Sequence, residues 1–373
     1  MVKSALDLEN ERLAKKYRPL LVLYPEIADG SQRKDYYRPL GHSRRLPPLM
    51  QDYHPRDIRF VLDNVWLRGE KQKPTRDRVL DIMSENKVEF IDLIDKKGPK
   101  HVDKFWRVYS GVEKKDNNPE YHRKVYARVI RGNQWFKDYI SIQYWMAYFF
   151  DDWANVHEMD WEMVAIFIKK TESTEVPVAC AYNAHVGSFR KLWQEVQKAD
   201  DDMNRNPQGL HPVAYIANGS HASYFSGFPP YFNVAEPYVK SMLSTVLRIT
   251  RIAKEFTDFV PGFNEGYKCF PEVDVIPEPD KNGRWSEEWR WLNFKGRWGS
   301  PAKLSPIEWL IAKIPLIRRL PLFFQRPLRE AGPHGPNTRI VCWEEPFNWI
   351  NLECFEAPET KPWIGNIDED NST

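Results

Sequence analysis

Two runs of β-branched and aromatic residues, Tyr139–Phe150 (YISIQYWMAYFF) and Trp161–Ile168 (WEMVAIFI), constrain this chain more than anything else in it. Such side chains fit a pleated, half-buried surface. The short polar link DDWANVHEMD between the runs predicts that they pair antiparallel. Val176–Tyr182 (VPVACAY) and Pro212–Ala217 (PVAYIA) read as further strands, and RPLLVLYPE, closed by Pro25, as a buried strand near the N-terminus. Residue usage agrees: 29 Pro, 15 Trp, 17 Tyr and 20 Phe among 373 residues exceed what a helical protein carries. The expected fold is mainly β, an antiparallel β-sandwich with long Pro-rich loops, in one domain spanning 1–373.

Helical spacing is expected in a few places only. These are a charged N-terminal helix, Thr75–Asn86, and Phe189–Lys198 between two strands. A helical insertion at 237–259 sets Met242, Val246, Ile249, Ala253 and Phe256 on one face. A second insertion, 303–329, mixes Lys313, Arg318, Arg319 and Arg326 with Trp309, Ile314, Leu320, Phe323 and Phe324. Asp57–Leu67 fits either alternation or a short helix. Residues 26–57 and Pro261–Pro279 read as loops, 96–124 as a polar surface excursion, and the residues after GPHGP as a last strand. The tail 359–373 is acidic.

A formal net charge of +2 gives no global reason to expect nucleic acid. Cys180, Cys269, Cys342 and Cys354 form no C-x-x-C pair, so reduced thiols are expected rather than a zinc ribbon or a disulfide scaffold. The N-terminal stretch lacks the apolar run of a signal peptide, which makes a cytoplasmic location the expectation. Ile307–Phe324 is interrupted by Lys313, Pro315, Arg318, Arg319 and Pro321, so it is not an ordinary spanning helix. Its basic and apolar mixture suits docking on an anionic membrane surface, or packing of its apolar side on the sandwich.

The residues with the clearest chemistry lie in HEMDWE. Asp160 and Glu162, two apart in a strand, project from one face while Trp161 takes the other. Two anions held that close need a cation. His157 can bring an imidazole to the same point, and Asp151 or Asp152 lies across the hairpin. Oxygen donors with one nitrogen suit Mg²⁺, Mn²⁺ or Ca²⁺ over Zn²⁺. The alternative is a pair of solvated strand-end charges with His157 capping a turn. The stretch is not the zinc-protease H-E-x-x-H, because the second His is missing. His185 (NAHVGSF) and His221 (NGSHASYF) also follow strands, and if these ends converge one pocket holds imidazoles and carboxylates together. Ser220 beside His221 lacks a G-x-S-x-G elbow.

The order YRPLLVLYPE, HEMDWE, PVAYIANGSHASYF, FKGRWG and GPHGP resembles the vacuolar-protein-sorting sixty-two-like family. HEMDWE also looks like the metal-binding heart of the necrosis-inducing cytolysins, β-sandwiches that hold a divalent ion by an Asp, a His, an Asp and a Glu. Carried over, that resemblance implies His157, Asp160 and Glu162 as ligands, with Asp152 or Asp151 as the first Asp. The loop departs from GHRHDWE at Glu158 and Met159. Two functions are then expected. In one, a divalent-metal-binding protein recognises an anionic or glycosylated headgroup at a membrane surface, without turnover. In the other, a metal-dependent hydrolase uses Glu162 or His221 as proton acceptor and His185 to stabilise negative charge. A purely structural ion is the third possibility.

Overall fold

The computed structural model describes residues 3–25, 53–67, 72–93, 102–110, 120–133, 136–151, 157–184, 187–227, 260–300 and 331–350. The expected insertions 237–259 and 303–329, the acidic tail 359–373, Asp152, His185 and Cys354 lie outside the described residues.

The fold is mainly β and is built on two packed sheets. The larger contains β3 (Lys124–Arg131), β4 (Tyr139–Asp151), β5 (His157–Lys170), β6 (Glu175–Ala184), β7 (Gly187–Leu192) and β12 (Glu272–Val275), in the order β12-β3-β4-β5-β6-β7. The smaller contains β1 (Leu20–Leu23), β9 (His211–Ile216), β10 (Ser223–Tyr224) and β11 (Tyr267–Cys269), in the order β10-β9-β1-β11, with β8 (Lys198–Ala199) on β9. A short pair of β2 (Phe90–Ile91) and β13 (Arg297–Trp298) stands apart.

Strands that follow one another from β3 to β7 pair antiparallel, as their alternation and short links predict. Strands distant in sequence depart from the antiparallel expectation: β1 with β9, β12 with β3 and β13 with β2 are parallel. Alternation fixes which face a residue occupies, but it does not fix the direction in which remote strands meet.

Period-2 alternation divides the larger sheet's residues between two cores. Ile142, Tyr144 and Met146 of β4 join Val164 and Ile166 of β5 and Leu21 and Ile216 of the smaller sheet in the layer between the sheets. Trp145, Ala147 and Phe149, with Trp161, Met163 and Phe167, face the opposite way. There they meet the helices Ile58–Leu62 and Arg76–Ser84 and the Trp-rich 3₁₀ segment Glu287–Asn293. Both faces of β4 and β5 are therefore covered, which explains why these strands are apolar along nearly their whole length.

Several local expectations change. Residues 189–198 form β7, a 3₁₀ turn and the start of β8 instead of a helix. Phe189, Leu192, Trp193 and Val196 do have helical spacing, but backbone pairing of Gly187–Leu192 with β6 overrides it. The expected loop 261–279 supplies β11 and β12, short edge strands completed by β1 and β3. The expected last strand is instead two helices, Ile340–Glu344 and Pro346–Ile350, with Trp343, Phe347 and Ile350 buried at helical spacing. The surface excursion 96–124 contains the helix Val102–Ser110, whose Tyr109 is buried. Asp57–Leu67 resolves to the helix Ile58–Leu62, and Cys180, Cys269 and Cys342 are buried and form no disulfide among the described residues.

The N-terminal helix Ala5–Lys16 begins with a Ser4/Asp7 capping box and is tied to β6 through Glu175. The Glu175 carboxylate accepts from Lys16 Nζ at 2.7 Å and Tyr17 Oη at 2.9 Å, and it pairs with Arg12. Burial pushes Glu175 up, but the bonds from Arg12, Lys16 and Tyr17 outweigh it and lower the carboxyl to about 2. A depressed acid contributes stability above its unfolded value near 4.5, and that contribution is lost as pH falls from there toward 2. Glu175→Gln is therefore expected to cost about 1 kcal/mol at neutral pH, discounted for solvent screening. The difference from the native chain should vanish near the acid end, as urea titrations at both pH values will show.

Candidate metal centre

Asp160 sits opposite Tyr148 and Glu162 opposite Met146 in the β4–β5 ladder. Tyr148 and Met146 belong to the layer between the sheets, so both carboxylates enter that layer while Trp161 points into the other core. The shared face follows from the alternation, but solvation does not. Asp160 is 6% exposed and Glu162 7%, which removes the alternative of solvated strand-end charges.

A buried ionised carboxylate is costly unless something positive accompanies it. The structure brings three groups to one place: Asp151 at the end of β4, Asp160 on β5 and His221, each offering a donor atom within 4.8 Å of the others. All three are buried. A divalent cation bonded at about 2.0–2.5 Å has adjacent donors about 3 Å apart and opposite ones about 4–5 Å apart, so this spacing fits one ion. His221 Nδ1 stands 3.1 Å from Asp160 Oδ2, and Asp160 Oδ1 accepts from the Trp161 N–H at 2.8 Å.

His157 is placed beside this group by register, because its Cα partner is Asp151. Its Nδ1 lies 2.6 Å from the Met159 carbonyl. A carbonyl can only accept, so Nδ1 carries the proton and donates it. Nε2 then faces Asp151 Oδ2 at 3.5 Å, a juxtaposition that a positive charge between the two favours. A proton or a metal ion supplies that charge. A backbone carbonyl holding the far nitrogen of an imidazole is the usual support for a metal-ligating histidine.

The backbone is arranged for this convergence. His221 has φ 56° and Met159 φ 57°, two of the non-glycine residues in the left-handed region. Each such residue costs about 1 kcal/mol or more and persists only where its surroundings impose it. The hairpin loop between β9 and β10 is closed by the Ala217 N–H donating to the Ala222 carbonyl at 2.9 Å and includes Gly219 at φ 81°. It delivers His221 against the Tyr148 ring, stacked at 3.9 Å and 9°. Tyr53 meets the same imidazole edge-on at 6.5 Å.

Burial pushes the Asp160 carboxyl up. The His221 hydrogen bond and the positive charges of His157, His221 and Arg339 outweigh that and hold it below its ordinary value. The Tyr148 hydroxyl is driven well above its usual range by burial first and then by Glu162 and Asp160. Arg339, whose Nη2 donates to the Trp161 carbonyl at 3.0 Å, comes from the segment after GPHGP. Nothing in the sequence placed it here. Tyr53 and Tyr148 were also unmarked by any motif.

Of the residues expected at the site, Asp160 is in the cluster, and His157 and Glu162 flank it. Asp151, one of the two expected across the hairpin, joins the cluster, while Asp152 lies outside the described residues. His221, expected as a proton acceptor, stands among the metal-ligating candidates. Ser220 is buried in the same loop.

No family model and no curated protein matches the chain. Among solved structures it is similar to NLPPya in complex with mannosamine, at 24% identity over 28% of this chain and 44% of that one, with a TM-score of 0.21. Necrosis and Ethylene inducing Protein 2 from the causal agent of cocoa's Witches Broom disease matches at 20% identity over 28% and 45%, with a TM-score of 0.22. Non-toxic HaNLP3 protein matches at 15% identity over 61% and 72%, with a TM-score of 0.26. The chain thus spans less than half the length of NLPPya, and none of these findings supports the vacuolar-protein-sorting sixty-two-like resemblance.

Proposed function

We propose that this chain is a divalent-cation-binding protein whose ion lies between Asp151, Asp160 and His221, with His157 and Glu162 alongside, and serves to hold a sugar-bearing or anionic headgroup. The observation that carries the reading is the buried convergence of two carboxylates and one imidazole from three separate strands and loops. Oxygen-rich donors favour Mg²⁺, Mn²⁺ or Ca²⁺, while each further imidazole brings Zn²⁺ closer. Such hard cations take about six to eight ligands, more than this side-chain set supplies, and water or the hydroxyls of a sugar complete the shell.

The binding reading is preferred to the hydrolase reading on the position of His221. Its Nδ1 faces Asp160, its ring is covered by Tyr148, and it is 1% exposed. That supports a role as ligand rather than as a base reaching toward substrate.

Calorimetric titration with glucosamine, run on cation-loaded and chelated protein, tests the finer reading. Saturable binding to the loaded form, lost on chelation, is the expected result. Equal binding in both forms, or none in either, overturns the headgroup role while leaving the cation itself to be tested separately.

A further inference from the structure

Strand β5 pairs with β6 only from Val164, opposite Tyr182, onward, so its first half, which carries the carboxylates of the candidate metal centre, presents an edge to other parts of the chain. The N–H and C=O of one residue leave an extended strand on the same edge. Trp161 stands opposite Ala147 in the β4–β5 ladder, and the Ala147 carbonyl accepts from the Arg56 N–H at 3.0 Å. At Trp161 both backbone groups are taken up by side chains. The N–H donates to Asp160 Oδ1 at 2.8 Å, and the carbonyl accepts from Arg339 Nη2 at 3.0 Å. A carboxylate of the centre and a guanidinium therefore meet β5 at the same residue and on the same edge.

Arg339 is held in place from behind. It lies between the 3₁₀ turn Pro336–Thr338 and the helix Ile340–Glu344, and its carbonyl accepts at 2.8 Å from the N–H of the fully buried Trp343. Its guanidinium carbon lies 5.7 Å from the centre of the buried Trp145 ring. A partly buried charge fixed in this way is screened less than one moving in water. No acid among the described residues forms an ion pair with Arg339, and its charge is one of those that hold Asp160 ionised. Such a charge has two effects of opposite sign. Without an ion it offsets part of the cost of the buried carboxylates Asp151 and Asp160. With an ion present it repels that second positive charge.

We propose that Arg339 is the counter-charge of the cation-free centre: it steadies the buried carboxylates when no ion is bound and sets the cation affinity below what the donors alone would give. Arg339 acts through Asp160 and the Trp161 carbonyl without itself ligating the ion. The role rests on the cation-binding reading above, and the measurements separate the failure of one from the failure of the other.

The test is calorimetric titration of the full chain with Mn²⁺, joined to urea titration in chelator and in Mn²⁺, on the native protein, Arg339→Gln and Arg339→Lys. Gln removes the charge and keeps an N–H donor for the Trp161 carbonyl, whereas Lys keeps the charge. Mn²⁺ is expected to bind about tenfold tighter to Arg339→Gln and near the native level to Arg339→Lys. In chelator Arg339→Gln should unfold at lower urea than the native chain, and Mn²⁺ should close that gap. A role in packing alone would lower stability equally in both conditions and leave affinity unmoved. Arg339→Met, neutral and able to rest on Trp145, decides the matter if Arg339→Gln does not fold. Native binding with affinity unchanged or weakened in the neutral variants overturns the role of Arg339 and leaves the cation reading standing. A native chain that binds no Mn²⁺ overturns both, and neutral variants that fold in neither condition overturn the role of Arg339, since the ion then cannot replace its charge.

Discussion

Asp160→Asn is expected to weaken divalent-cation binding by about 100-fold or more, because it removes the charge of the buried carboxylate that faces His221 and would ligate the proposed ion. Losing even a supporting group around a metal costs about 10–100-fold in affinity, and a direct ligand costs more. The amide keeps the shape of the carboxylate, and its oxygen can still accept from the Trp161 N–H, so the fold should survive. What changes is the balance of charge. Asp160 is held ionised by His157, His221 and Arg339, and the neutral amide leaves those groups without their shared anion. Mn²⁺ titration followed by calorimetry measures the loss. Unaltered affinity in Asp160→Asn would place the ion elsewhere.

The second large effect concerns stability. Trp161 lies between the two acidic residues in sequence, yet it points into the opposite core, where it stacks on Trp291 at 5.6 Å and 8° and meets Trp298 edge-on at 5.5 Å. It is fully buried. Trp161→Ala is expected to destabilise the chain by about 3–5 kcal/mol, combining lost transfer free energy with the cavity left among rigid aromatic neighbours. Trp161→Phe should cost less, since it retains an aromatic face against Trp291. Chemical denaturation provides the comparison, and a cost below about 1 kcal/mol for the alanine variant would mean that this layer is not packed as described. Cation binding in Trp161→Phe should stay near native, because the indole turns away from Asp160 and Glu162. The strand thus separates chemistry on one face from packing on the other.

Much of this division is legible in the residues. The period of two in WEMVAIFI identifies Trp161 as facing away from its acidic neighbours, and the two long runs identify the central antiparallel strands. The depth of Asp160 and Glu162 is a different matter, because it depends on the second sheet lying over them. Leu21 and Ile216 of that sheet are remote in sequence, and the parallel pairing of β1 with β9 leaves no local mark. His221 stands out as a histidine after a strand, but its approach to Asp160 depends on a hairpin loop with left-handed backbone at Gly219 and at His221 itself. The Asn-Gly pair in NGSHASYF is a turn signal. Arg339 reaches the site from just before the helix Ile340–Glu344, where the residues after GPHGP read as a strand, although the spacing of Trp343, Phe347 and Ile350 carries the helical period. In Phe189–Lys198 the same period misleads, because an edge position on β6 outweighs side-chain spacing. Local pattern predicts faces well and remote pairing poorly, and the candidate site is assembled mainly from remote pairing.

Whether one cation occupies the space between Asp151, Asp160 and His221 can be read from elemental analysis of the purified protein. Native chain and Asp160→Asn are loaded with Mg²⁺, Mn²⁺, Ca²⁺ or Zn²⁺, dialysed, and measured by inductively coupled plasma mass spectrometry. Close to one equivalent of a divalent metal is expected in the native chain and almost none in the variant. Native protein that retains no metal under any of these conditions, or a variant that retains as much as the native chain, would contradict it.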